Sequence, residues 1–225
     1  MRDRTLYHFW LDPQSRKVRI VLGEKHLPFT LVLERPWEQR PEFVALNPAA
    51  DLPVLIEPDG RVLCNATAIA EYLDETLPEP PLLGHDPKVR AEVRRLVGWF
   101  DEKFNSEITL TLVGEKLVKR MMGTKFMPDS GVIRTGYACV PGHLRYLSTL
   151  AEHRRWLAGN DFSLADITAA AHLSAVDYLG DINWDAYPAA KDWYARVKSR
   201  PSLRPLLADT IPGIPPPRHY ADLDF

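Results

Sequence analysis

Three residues near the start have the types and spacing to do chemistry. In FWLDPQSRKVRI, residues 9–20, an aromatic and apolar strand runs into Asp12-Pro13 and then into a helical pattern. Many enzymes hold a nucleophile, or a hydroxyl that stabilises a thiolate, at such a strand-to-helix corner. Here the residue before the proline is Asp12, and an ionised carboxylate has no proton to donate. Asp12 therefore reads as a turn former or as the cap of the following helix. Ser15, three residues on, carries the nearest hydroxyl, at a position where serine commonly serves the first helical turn. Tyr7 supplies a phenol on the preceding strand, where alternation turns either Tyr7 or His8 toward the core. Cys64, one of two cysteines, closes a later strand and reads as a buried, inert thiol.

The elements that must position these groups alternate in type over the first third. TLYHF and TLVLE read as strands, with Val18, Val21 and Leu22 at helical spacing between them. RPWEQRPEFVALNP is a loop with one helical turn at most. DLPVLIEPDGRVLC reads as strand, turn and strand, with Asp59-Gly60 as the hairpin signal. ATAIAEYLDETL follows as a helix. This order predicts a thioredoxin-like α/β domain over 1–78, with its first two strands parallel through a crossover helix.

The proline-rich stretch 79–87 predicts a linker, and 88–207 an all-helical domain. Val89, Val93, Leu96, Val97, Phe100 and Phe104 mark a long amphipathic helix, with Gly98 and Gly114 arguing against an unbroken rod. Residues 124–142 read as an irregular segment, followed by a helix ending near Gly159. FSLADITAAAHLSAVDYL begins with Ser163 and Asp166, a short-chain capping box worth about 1 kcal/mol. A further helix is interrupted by Pro201, and 208–225 is expected to be extended.

Lys and Arg number 28 against 30 Asp and Glu, so no global field draws the chain to nucleic acid or to an anionic membrane. No run reaches the roughly 20 apolar residues of a membrane span. The start lacks the apolar core of a signal peptide, and the cysteine spacing suggests neither a disulfide framework nor a zinc site. The expectation is a reduced, cytoplasmic protein without metal or cofactor.

Taken together, RKVRIVLGEKHLPF, LNPAADLPVLIEPDGRVLCNATAIAEYLDE, FSLADITAAA and WYARVKSRPSLRPLL resemble, in order, the cytosolic glutathione S-transferase family over nearly the whole chain. The resemblance implies a thioredoxin-like domain followed by a helical one, a homodimer, and Leu52-Pro53 as the family's cis-proline corner. It also implies two departures. Where serine-type members place a hydroxyl before the corner proline to favour the glutathione thiolate, this chain has Asp12, whose charge would raise the sulfur's pKa. Where members hold the γ-glutamyl carboxylate with a Ser at a helix start, this chain has Asn65-Ala66. A lost hydrogen bond to a charged group costs on the order of 1.5–3 kcal/mol. Asp12, Leu52, Pro53, Asn65 and Ala66 are thus expected to form a vestigial glutathione site, with no catalytic residue and no cofactor. The alternative is a transferase that conjugates glutathione to an electrophile, assisted by Ser15 or Tyr7.

LYHFWLDPQSRKVRIVLGEKHLPF, the RPWE loop, VGWFDEKF and the DLDF terminus resemble one branch of the family. Its members bind the tubulin-like polymer FtsZ and support bacterial cell constriction. That resemblance implies a non-catalytic protein that organises FtsZ filaments at the division site. Trp37, an aromatic among charges and prolines, and the terminal Asp222, Asp224 and Phe225 are the partner-binding candidates.

Overall fold

The computed structural model describes residues 3–123 and 125–223. Asp224 and Phe225 lie outside the described residues. The chain begins with β1 (Arg4–His8), α1 (Pro13–Glu24) and β2 (Phe29–Leu33). A 3-10 turn at Pro36–Glu38 leads to α2 (Pro41–Leu46), and β3 (Val54–Ile56), β4 (Val62–Cys64) and α3 (Ala66–Thr76) follow. The strands lie in the order β2-β1-β3-β4. β1 and β2 are parallel, with Leu6 opposite Leu31. β3 runs antiparallel to both β1 and β4. Alternation sends Leu6 into the core with Val21, Ile69 and Leu73, while the Tyr7 ring meets Phe43 of α2 at 5.8 Å.

The loop after α3 is held in place by buried Lys25. Its ammonium reaches Asp74 at 2.7 Å and the carbonyls of Leu77 and Pro80, both at 2.6 Å. Asp74 in turn accepts from the Leu82 and Leu83 N–H groups. Helix α4 (Pro87–Gly98) starts at the Asp86 cap and passes straight into π-helical turns over Trp99–Val118, then into a last α turn, α5 (Lys119–Met122). The rod is therefore continuous through Gly98 and Gly114, contrary to the glycine argument. Phe100, Phe104, Ile108, Leu112 and Leu117 are buried along it. That stripe outweighs a glycine penalty of about 1 kcal/mol per position.

Helix α6 (Ser130–His153) corrects the sequence reading at both ends. Residues 130–142, expected to be irregular, are helical despite Pro141, because Asp129 caps the first turn and Gly136, Val140, Leu144 and Leu147 form a buried stripe. Gly136 is needed there: a Cβ would lie 2.2 Å from the Thr111 hydroxyl of the facing rod. The helix ends at His153, not near Gly159, and a turn closed by Trp156 and Gly159 follows.

Every residue of α7 (Leu164–Asp177) is buried. Its capping box forms as expected, with the Ser163 N–H donating to Asp166 at 3.1 Å and the Ala165 N–H to the Ser163 hydroxyl at 3.3 Å. Asp166 does more than cap. Its other oxygen accepts from the Leu157 N–H and the Trp193 indole, both at 2.9 Å. Helices α8 (Pro188–Lys198) and α9 (Arg204–Leu207) flank Pro201.

Candidate functional site: a cleft beside the first corner

The β1–α1 corner faces the middle of the long rod across a cavity of about 390 Å³. Its walls are largely apolar and include Phe9, Trp37, Leu52, Leu110 and Val113; Asp12 and Asp51 also line it. Asp12 caps α1, accepting from the Ser15 N–H at 2.7 Å and the Ser15 hydroxyl at 2.5 Å. Burial pushes its carboxyl up to about 6, against the opposing pull of those hydrogen bonds. At neutral pH it is still mostly ionised.

The same contacts decide the standing of Ser15. Its hydroxyl donates to Asp12 and accepts from the Phe9 N–H at 3.3 Å, and the side chain is fully buried. Both functions of the hydroxyl are engaged within the corner, and Ser15 does not line the cavity. Tyr7 also stays outside it, packed on Phe43. The two hydroxyls weighed for catalysis therefore face elsewhere.

The Leu52-Pro53 bond is cis, and Leu52 lines the cavity. Asn65 and Ala66 do not. Asn65 has φ 72° and ψ 121° and caps α3, accepting from the Thr67 and Ala68 N–H groups at 3.0 and 3.2 Å. Such a backbone is strained for a residue with a Cβ. Ala66 is buried behind it. Cys64 is half-buried, and burial raises its thiol pKa, consistent with an unreactive group.

Beneath the cleft lies a polar cluster that the sequence reading missed. Asp101 of the rod accepts from Lys17 at 2.7 Å, Gln14 at 2.9 Å and the Thr67 hydroxyl at 3.4 Å, and pairs with His172 at 3.3 Å. The other His172 nitrogen meets the Thr109 hydroxyl at 2.9 Å. Burial lowers the His172 pKa, so the neutral ring donates to Asp101 and accepts from Thr109. Burial disfavours the Asp101 charge, but His172 and Lys17 outweigh it and hold the carboxyl below its ordinary range. Lys17 among the apolar positions of α1 was the available signal.

Of the proposed docking residues, Trp37 is half-buried and sets its ring edge-on to Phe9 at 5.1 Å. It is thus part of the cleft wall as well as of the loop surface. Asp222 is exposed. The segment leading to it is firmly docked: buried Tyr220 accepts from both terminal nitrogens of buried Arg16 at 3.0 Å and donates to the Leu206 carbonyl at 3.2 Å. Asp209 adds a two-point pair with Arg19 at 2.6 and 2.9 Å. The Tyr178 hydroxyl donates to the Ile214 carbonyl at 2.8 Å.

Comparison with known proteins agrees with this architecture. Residues 13–76 match the model of the glutathione S-transferase N-terminal domain, and residues 130–196 that of the C-terminal domain. The chain is 51% identical to FtsZ-localized protein A of Caulobacter vibrioides, over 99% of each protein. It superposes on the structure of FzlA from C. crescentus with a TM-score of 0.94 and 52% identity, covering all of both chains. A glutathione S-transferase from Rhodospirillum rubrum F11 matches with a TM-score of 0.95 and 56% identity, over 99% of this chain and all of that one. With both domains matched in order on one continuous chain, this protein belongs to the glutathione S-transferase family.

Proposed function

We propose that this chain is a docking protein of the bacterial division apparatus that binds and organises FtsZ filaments, and that it does not conjugate glutathione. Two similar relatives carry different descriptions, one naming FtsZ and one naming the transferase, so site chemistry has to choose between them. The observation that carries the choice is Asp12. It places a carboxylate at the corner and accepts the hydrogen bond of the Ser15 hydroxyl, while the Thr109 hydroxyl on the facing wall is engaged by His172. A thiolate brought there would meet negative charge in place of a donor.

Trp37 and the end of the chain around Asp222 form the docking surface in this reading. The protein acts as a cytoplasmic homodimer at the division site, where two equivalent faces on one polymer add avidity without new contacts. Among the described residues no helix is long and apolar enough to cross a membrane.

Co-sedimentation with polymerised FtsZ tests this directly. The protein should pellet with the polymer, and Trp37→Ala or deletion of residues 222–225 should weaken pelleting. An unchanged supernatant fraction for the parent protein would end the FtsZ reading. Glutathione conjugation of a generic electrophile is the counter-test: turnover abolished by Ser15→Ala or Tyr7→Phe would establish the transferase instead. Mass measurement by light scattering checks the dimer.

A further inference from the structure

Among the described residues no cation pairs with Asp12. The groups that bond it are neutral, the Ser15 N–H and hydroxyl and the Gln14 N–H, and the charge acting on it from nearby is a second carboxylate, Asp51. Both acids line the same cavity, and among the described residues every charged one lining it is acidic. A partly desolvated carboxylate normally has a cation beside it, because burying an unpaired charge is costly. Here both carboxyls border the cavity, and the group that bonds Asp51, the Asn47 amide at 2.6 Å, is neutral as well.

The rest of the wall narrows the chemistry. Phe9 and Trp37 meet edge to face, and Leu52, Leu110 and Val113 offer aliphatic surface. Aromatic rings attract a cation over their faces, and aliphatic walls favour an apolar body. We infer that this cleft binds a hydrophobic monocation, an aryl- or alkylamine whose ammonium lies at Asp12 and Asp51 and whose apolar body lies against Trp37, Leu52 and Leu110. The same charges disfavour glutathione, whose two carboxylates outnumber its ammonium.

Three ligands with one phenylbutyl body and different heads separate charge from shape: 4-phenylbutylammonium, 4-phenylbutanol and 4-phenylbutyrate. Isothermal titration calorimetry of the full-length protein at neutral pH should rank them in that order, with the amine about tenfold tighter than the alcohol. Asp12→Asn keeps a competent helix cap, and Asp51→Asn changes charge at nearly constant volume. Each should weaken the amine far more than the alcohol and so bring the two affinities together, and the alcohol binding that remains reports that the cavity is intact. Equal affinity for the three, preference for the butyrate, or no binding of the amine at millimolar concentration would each overturn the assignment.

Discussion

Replacing Asp12 by Asn should make the protein more stable at neutral pH, although it removes a helix-capping carboxylate. Asn caps a helix about as well as Asp, so the Ser15 N–H keeps an acceptor. What disappears is the cost of ionising a half-buried acid. A carboxyl moved from 3.8 to about 6 by folding costs the folded state up to about 3 kcal/mol once it is fully ionised. Solvent at the mouth of the cleft reduces this to about 1–2 kcal/mol. The sign follows from the proton count. Below pH 3.8 the acid is protonated in both states. Between 3.8 and 6 the folded chain holds a proton that the unfolded chain has released, so the parent protein loses stability as pH rises through that window. For a chain of this length the gain amounts to about 3–6 °C in Tm. Thermal melts of both proteins from pH 4 to 7.5 should show curves that coincide at the acid end and separate as pH rises. His8, which burial and the Arg19 charge push down to about 4, titrates in the same window with the opposite sign, but it is common to both proteins and cancels in the difference. A pH-independent gap, or an Asn variant that melts lower at pH 7.5, would refute the view of Asp12 as an uncompensated charge.

Three further substitutions test the supports of the cleft and tail. Tyr220→Phe removes the phenol shared by both Arg16 terminal nitrogens and should cost about 1.5–3 kcal/mol, read as a lower Tm and faster proteolysis beyond residue 207. Lys17→Met removes the lysine countercharge of Asp101 and leaves it Gln14, Thr67 and His172; it should cost about 3 kcal/mol in urea denaturation, part of which Asp101→Asn in the same chain recovers. Asp166→Ala leaves the Leu157 N–H and the Trp193 indole unpaired in the core. It should therefore cost about 3 kcal/mol or more, well beyond the value of a helix cap alone.

The fold was legible where local pattern and tertiary demand agree. Strand alternation, the Asp59-Gly60 turn and the Ser163–Asp166 cap all act within a few residues, and the order of elements then left few topologies. Reading failed where long-range burial overrode local preference. Gly98, Gly114 and Pro141 are poor helix formers, yet all three lie in helices whose neighbours bury an apolar stripe. At the site, the Asp12 cap was readable because it bonds three residues away. The cluster of Lys17, Asp101, Thr109 and His172 was not, since its members lie up to 155 positions apart in sequence and meet only after the two halves of the chain pack. Tail docking was hidden for the same reason: nothing local to Tyr220 names Arg16 as its partner.

The Arg16–Tyr220 contact also sets an order of events during synthesis. The guanidinium belongs to the first of the two domains, yet the phenol that accepts from two of its nitrogens is translated 204 residues later. Until the segment that carries Tyr220 has been made, the first domain holds an arginine whose pocket lacks one wall. A chain cut short after α9 therefore does not merely lack a tail; it keeps an early-made charge waiting for a partner that never arrives.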